Sequence, residues 1–152
     1  MKVVYGDLIQ LALAGQFDVI IHGCNCFCTM GAGIAKAIRR EFPEAYAADQ
    51  ATIKGERQNL GTMSTATVER HGQQLTIVNG YTQYRYGGSG RLADYEAIRA
   101  VMRSVKAQFG DKRIGYPRIG AGLARGEWPI IAQIIDEELA GTDHTLVEYQ
   151  TQ

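Results

Sequence analysis

Met30-Gly31-Ala32-Gly33-Ile34-Ala35-Lys36 and Ile119-Gly120-Ala121-Gly122-Leu123-Ala124-Arg125 are two near-copies of one heptapeptide, one early in the chain and one late. Each follows an apolar run that reads as a strand, and each leads into a helix-like pattern. Glycine at alternate positions removes Cβ atoms, so backbone N–H groups can approach a ligand closely. N–H groups at a helix start also favour an anion. Two such loops in one small domain predict a clamp with two jaws, suited to a diphosphate. Neither loop has the full G-x-G-x-x-G pattern, because Lys36 and Arg125 stand at the last glycine position. Neither ends in the G-K-[ST] of a P-loop. By themselves they are equally compatible with two tight strand-to-helix turns.

Working outward, Met1–Tyr5 reads as a first strand, with Asp7 as N-cap of a helix over 8–14. Asp18–His22 reads as a short buried strand and 23–33 as a loop. Ile34, Ala35, Ile38 and Phe42 recur at helical spacing before Pro43. A further helical turn is expected over 45–51. Strands are expected over 61–69 and 74–78, joined at His71-Gly72. A glycine- and tyrosine-rich loop then covers 80–91. The spacing predicts a helix over 94–109, a strand over 113–116, a helix over 128–139 and a last strand over 145–149. Alternating strands and helices predict an α/β fold with a largely parallel sheet. Such sheets bind ligands beyond the carboxyl ends of their strands, where both glycine loops fall. No linker divides the chain, so residues 1–152 are expected to form a single domain.

Sixteen basic and sixteen acidic side chains cancel. That argues against a general nucleic-acid surface, which needs clustered positive charge. A nucleotide held mainly by backbone groups remains compatible with it. The three cysteines, Cys24, Cys26 and Cys28, have neither the count nor the spacing of a disulfide framework. They read as small buried thiols in a reducing compartment. His22 is too local to complete a zinc tetrahedron with them, so no metal and no cofactor are expected. No apolar run is long enough to cross a membrane. The chain opens on a strand, so a cytoplasmic protein is expected, with a monomer as the default at this size.

Four segments taken together resemble the macrodomain family. They are Gly6-Asp7-Leu8, Asp18 through Asn25, Met30 through Ile38, and Pro117 through Leu123 with Trp128. The match runs through essentially the whole chain in order and is similar to the branch of small phage, bacterial and yeast members. A phage origin would place the protein in host cytoplasm. The resemblance implies a three-layer α/β/α fold with a mixed, largely parallel sheet and a cleft for ADP-ribose or a derivative. It implies that Asp7 accepts from the adenine amino group, with Leu8 as a backbone neighbour, and that Asn25 holds the distal ribose. Gly31, Gly33 and Ile34 match the first phosphate loop. Ile119, Gly120, Ala121, Gly122 and Leu123 match the second. Backbone N–H groups can neutralise a diphosphate without lysine, which suits a chain of zero net charge.

The family contains both readers and hydrolases, so the resemblance does not choose between them. Lysine-dependent glycohydrolases of the family use a lysine after the middle strand and an aspartate in the second loop. The matching positions here are Gly80 and Ala124, which carry no such chemistry. His22, Asn79 and Asp94 remain near the expected distal ribose. His22 can serve as acid or nucleophile, with Asp94 and Asn79 assisting. Equally, His22 can be a core histidine, Asn79 and Asn25 turn residues, and Asp94 and Asp7 helix caps. The leading expectation is removal of phosphate from ADP-ribose-1″-phosphate. The alternatives are a non-catalytic ADP-ribose reader and a hydrolase acting on ADP-ribosylated protein or nucleic acid. Lys36 and Arg125 read as solvated charges and Trp128 as a packing residue. Tyr81, Tyr84 and Tyr86 either cover the cleft or line an edge strand.

Overall fold

The computed structural model describes residues 1–150. The expected domain, 1–152, includes two residues outside those described. The strands are β1 (Lys2–Gly6), β2 (Val19–Cys24), β3 (Met63–Arg70), β4 (Gln73–Tyr81), β5 (Arg113–Tyr116) and β6 (Asp143–Tyr149). The helices are α1 (Leu8–Leu13), α2 (Gly33–Glu41), α3 (Pro43–Gln50), α4 (Tyr95–Phe109) and α5 (Trp128–Glu138). One sheet has the order β1-β6-β5-β2-β4-β3. Every neighbouring pair is parallel except β3–β4, an antiparallel hairpin at one edge. The mixed, largely parallel α/β sheet is therefore as the sequence predicts.

Alternation along the central strands builds two cores. Val19 and Ile21 of β2 and Val78 of β4 pack with Ile98, Val101 and Met102 of α4 and Ile131 and Ile135 of α5. Ile20 and Cys24 of β2 and Ile77 and Tyr81 of β4 pack with α1, α2 and α3 through Leu8, Ile38 and Ala45. These strands are covered on both faces, which is why β2 reads as a continuous apolar run. The result is three layers, with helices on either side of the sheet.

Most boundaries shift by one or two residues, and three differences bear on the site. β2 runs on to Cys24, and β4 runs on to Tyr81, because the two strands pair in register through Cys24 and Tyr81. Gly80 and Tyr81 thus belong to the sheet rather than to the loop. The turn expected over 45–51 is a full helix, α3, which starts on Pro43. Proline is tolerated there because the first helical N–H has no partner in the helix. Among the described residues, no helix is long and apolar enough to cross a membrane.

Candidate functional site

The carboxyl ends of β2, β4 and β5 open into a cleft of about 690 Å³. Its walls are the loop from Gly23 to α2 and the loop from Pro117 to Arg125. The first wall is strained and braced. Cys28 (φ 57) and Met30 (φ 40) adopt the left-handed region without being glycine, a conformation that persists only when the surroundings impose it. Here α3 and its neighbours impose it. Gln50 Nε2 donates to the Cys28 carbonyl at 2.7 Å. The Cys28 thiol donates to the Asp49 carbonyl at 3.2 Å. Gly55 N–H donates to the Cys26 carbonyl at 2.7 Å. The buried Cys26 thiol points to the Gln83 carbonyl at 3.6 Å. Cys26 and Cys28 therefore serve as small local donors.

The second wall turns on Gly120, whose φ of +74 an L side chain rarely adopts. A Cβ there would also crowd Ile131, Ile98 and Ala93 at 3.2–3.3 Å. The turn is closed by Gly126 N–H donating to the Gly120 carbonyl at 2.7 Å. α2 starts at Gly33 with no side-chain cap. Among the described residues, the N–H groups of Gly33, Ile34, Gly120, Gly122 and Leu123 find no acceptor in the chain. All five residues line the cleft. Leu123 is 69% exposed. Its Cδ1 lies 3.6 Å from where a Cβ on Gly33 would stand, so the two walls meet at this point.

Gly31, Gly33, Ile34, Asn25, Ile119, Gly120, Gly122 and Leu123 are thus brought together at the cleft. Asn25 lines it while also stabilising its own turn. Its Oδ1 accepts from Phe27 N–H and its Nδ2 donates to Thr29 Oγ1, both at 2.8 Å. Ala121 does not line the cleft; it packs on the core instead. Asp7 caps α1, accepting from Gln10 N–H at 3.0 Å, and Leu8 is buried in the core. Both sit on the same carboxyl edge of the sheet, at the end of β1, outside the cleft lining.

The three expected catalytic residues do not reach the cleft. His22 and Asn79 face the α2–α3 side and are wholly buried. His22 Nε2 lies 2.6 Å from Asn79 Oδ1. An amide oxygen only accepts, so Nε2 carries the proton. Asn79 Nδ2 donates onward to the Ala45 carbonyl and to Ser64 Oγ. Ser64 bonds Tyr81 Oη, and Tyr81 donates to Asp49 Oδ1 at 2.8 Å. Burial pushes His22 down to about 4, against the raising effect of Asn79, and raises Asp49. His22 is therefore a neutral member of a buried polar chain. Tyr81 is another member, so it covers nothing. Asp94 caps α4, accepting from Ala97 N–H at 2.9 Å. Asp94 is held at its helix start by this cap, and for His22 and Asn79 the cause is the sheet. Strand alternation sends residue 22 toward a helical layer, while residues 23–25 meet the opening.

Two features were not legible in the sequence. Arg125 is not a freely solvated charge. Its Nη1 donates to the carbonyls of Gly88 and Gly90 at 2.9 and 2.8 Å. This clasp ties the second wall to the glycine-rich loop, whose Tyr86 also lines the cleft. Arg125→Ala should release that loop. Trypsin cleavage at the exposed Arg85 and Arg91 should rise severalfold while the melting temperature stays nearly constant; unchanged cleavage would show the clasp to be idle. The second feature is chemical. Among the described residues, no Asp, Glu, His or Lys lines the cleft. Arg118 is paired with Glu148 at 2.6 Å, and burial raises the Cys24 thiol well above its ordinary value. The cleft offers N–H groups, the guanidinium groups of Arg118 and Arg125 and otherwise uncharged side chains, with no group poised for proton transfer at neutral pH.

Comparison with known proteins places this geometry. An uncharacterised 17.5 kDa protein of Enterobacteria phage T4 is 31% identical over 99% of this chain and 97% of its own length. The ADP-ribose glycohydrolase OARD1 of Bos taurus is 27% identical over 96% of this chain and 88% of its own. An ADP-ribose 1″-phosphate phosphatase of Debaryomyces hansenii is 21% identical over 90% of this chain and 93% of its own. A solved Thermosipho africanus DarTG in complex with ADP-ribose shares the fold at TM-score 0.76 and 18% identity, over 100% of this chain and 42% of that one. Residues 21–135, which carry both cleft walls, match the Macro domain model, and the chain belongs to that family.

Proposed function

We propose that this protein binds ADP-ribose between its two amide-lined walls and hydrolyses a derivative carrying an acidic leaving group on the distal ribose, with ADP-ribose-1″-phosphate foremost. The observation that carries the reading is the set of five N–H groups without acceptors, contributed by residues of both walls of a cleft that has no carboxylate among its described lining residues. Such an arrangement stabilises a diphosphate by hydrogen bonds and fixed dipoles, and needs no lysine. The cleft volume also falls within the usual range for a small-molecule site. Relatives named for ADP-ribose chemistry support the same ligand.

The lack of a proton donor or acceptor among the described lining residues restricts the chemistry. A leaving group that must be protonated as it departs needs an acid, and none lines the cleft. The singly protonated phosphate ester needs none, because it departs as hydrogen phosphate, keeping its own proton and taking the electron pair of its bond to the anomeric carbon. Water then adds to that carbon and loses a proton to solvent, while the N–H groups stabilise the negative charge that develops. Lysine-dependent deribosylation is disfavoured on two counts. A Cβ at Gly80 would stand 2.8 Å from Val101 Cγ1, beneath α4, and Ala124 is buried.

Incubation with ADP-ribose-1″-phosphate, O-acetyl-ADP-ribose and ADP-ribosylated protein or DNA tests the reading. Phosphate release from the first is expected, and in heavy-oxygen water the released phosphate should stay unlabelled. Labelled phosphate would mean attack at phosphorus and would overturn the route. The same lack of acid and base supports a second reading, a non-catalytic reader. Tight ADP-ribose binding with no turnover of any substrate would establish it.

A further inference from the structure

We propose that the hydroxyl of Thr82 recognises the distal ribose from just beneath the part of the cleft floor formed by Gly23 and Ile119, which makes Thr82 a specificity-determining residue although it is not itself one of the lining residues. This rests on the ADP-ribose binding proposed above. Thr82 directly follows β4 and is 1% exposed. Its backbone is held on both sides. Thr82 N–H donates to the Cys24 carbonyl at 3.2 Å, and its carbonyl accepts from Asp94 N–H at 2.8 Å. The side chain is therefore fixed in place. Its Oγ1 is buried and has no hydrogen-bond partner among the described residues.

The location of that hydroxyl gives the orphan meaning. A Cβ on Gly23 would stand 2.6 Å from Thr82 Oγ1 and 3.4 Å from Ile119 Cγ2. The hydroxyl thus lies against Gly23 where a side chain would be, close to Ile119. Gly23 and Ile119 both line the cleft. Asn25, the residue matched to the distal ribose, is two positions further along. A buried hydroxyl without a partner is costly, and proteins seldom retain one without a use. The Cβ-free backbone at Gly23 leaves only the main chain between this donor and the floor, so a small shift there uncovers it. A sugar hydroxyl seated there would complete its hydrogen bond. ADP lacks that sugar and would leave the donor as it is in the free protein.

Thr82→Val keeps the shape and removes the hydroxyl, and Thr82→Ser keeps the hydroxyl. Calorimetry with ADP-ribose and with ADP separates the outcomes. Thr82→Val should weaken ADP-ribose binding about tenfold and leave ADP binding unchanged, with Thr82→Ser restoring most of the loss. The free Thr82→Val protein should melt at the wild-type temperature or above, because it loses an unsatisfied group rather than a bond. ADP-ribose affinity within about twofold of wild type would overturn the inference, as would an equal loss for ADP or a lower melting temperature. If wild type binds neither nucleotide, the binding reading fails and this one falls with it. If wild type binds ADP-ribose and Thr82→Val binds it equally well, only the role of Thr82 is lost.

Discussion

Gly33→Val should lower the affinity for ADP-ribose by at least about 100-fold while leaving the sheet intact. Gly33 opens α2 at φ +57. A left-handed conformation costs an L residue about 1–2 kcal/mol, and β-branching makes the strain worse. Valine must therefore turn the backbone, and the N–H groups of Gly33 and Ile34 would swing off the anion. A hydrogen bond to a charged group is worth about 1.5–3 kcal/mol, so losing two of them accounts for the factor. The side chain would also grow toward Leu123 Cδ1 and narrow the cleft at its waist. Calorimetry measures the affinity and far-UV circular dichroism checks the fold. Affinity within about threefold of wild type, which is under 1 kcal/mol, would remove the first wall from the diphosphate site.

His22→Ala should act on stability and not on chemistry. The substitution empties a fully buried volume and leaves Asn79 Oδ1 without its donor. Cavity and orphan together cost about 3 kcal/mol, which lowers the melting temperature of a chain of this size by roughly 6–12 °C. Phosphate release per folded molecule should persist. A folded but inactive His22→Ala protein would restore the catalytic role that the sequence suggested.

The same residue sets an acid limb. Burial holds His22 at about 4 in the folded protein, below its ordinary 6.5. The unfolded chain therefore takes up the proton first as pH falls. Stability from this residue is complete above pH 6.5 and is lost as pH drops through about 4, in total about 3 kcal/mol. His144, also lowered by burial, adds to the slope in the same sense. Denaturation by urea across that window should give a shallower pH dependence for His22→Gln than for wild type. Parallel curves would show that His22 does not titrate there.

Much of the architecture was readable because it is periodic. Apolar runs at 19–21 and 75–78, the amphipathic repeat over 95–109, and Asp7 and Asp94 ahead of helices each answer to local rules. The glycine pairs could be placed at strand ends because only such residues let main-chain N–H groups face a ligand. Boundaries were less readable, because the length of β2 and β4 depends on their mutual register, and register is a property of the pair. Helix α3 was underestimated since Pro43 looks like a stop when it serves as a start.

What the sequence by itself determined is the order of elements, the layered α/β class and the two side-chain-poor loops where an anion can sit. Only the tertiary structure decided the direction of the side chains at the strand ends. His22 and Thr82 illustrate the reason. Alternation assigns each to a face of the sheet, but which layer covers that face is set by helices distant in sequence. His22 was thereby sealed under α2 and α3, Thr82 was set beneath Gly23, and Arg125 was drawn onto the carbonyls of a loop some thirty-five residues away.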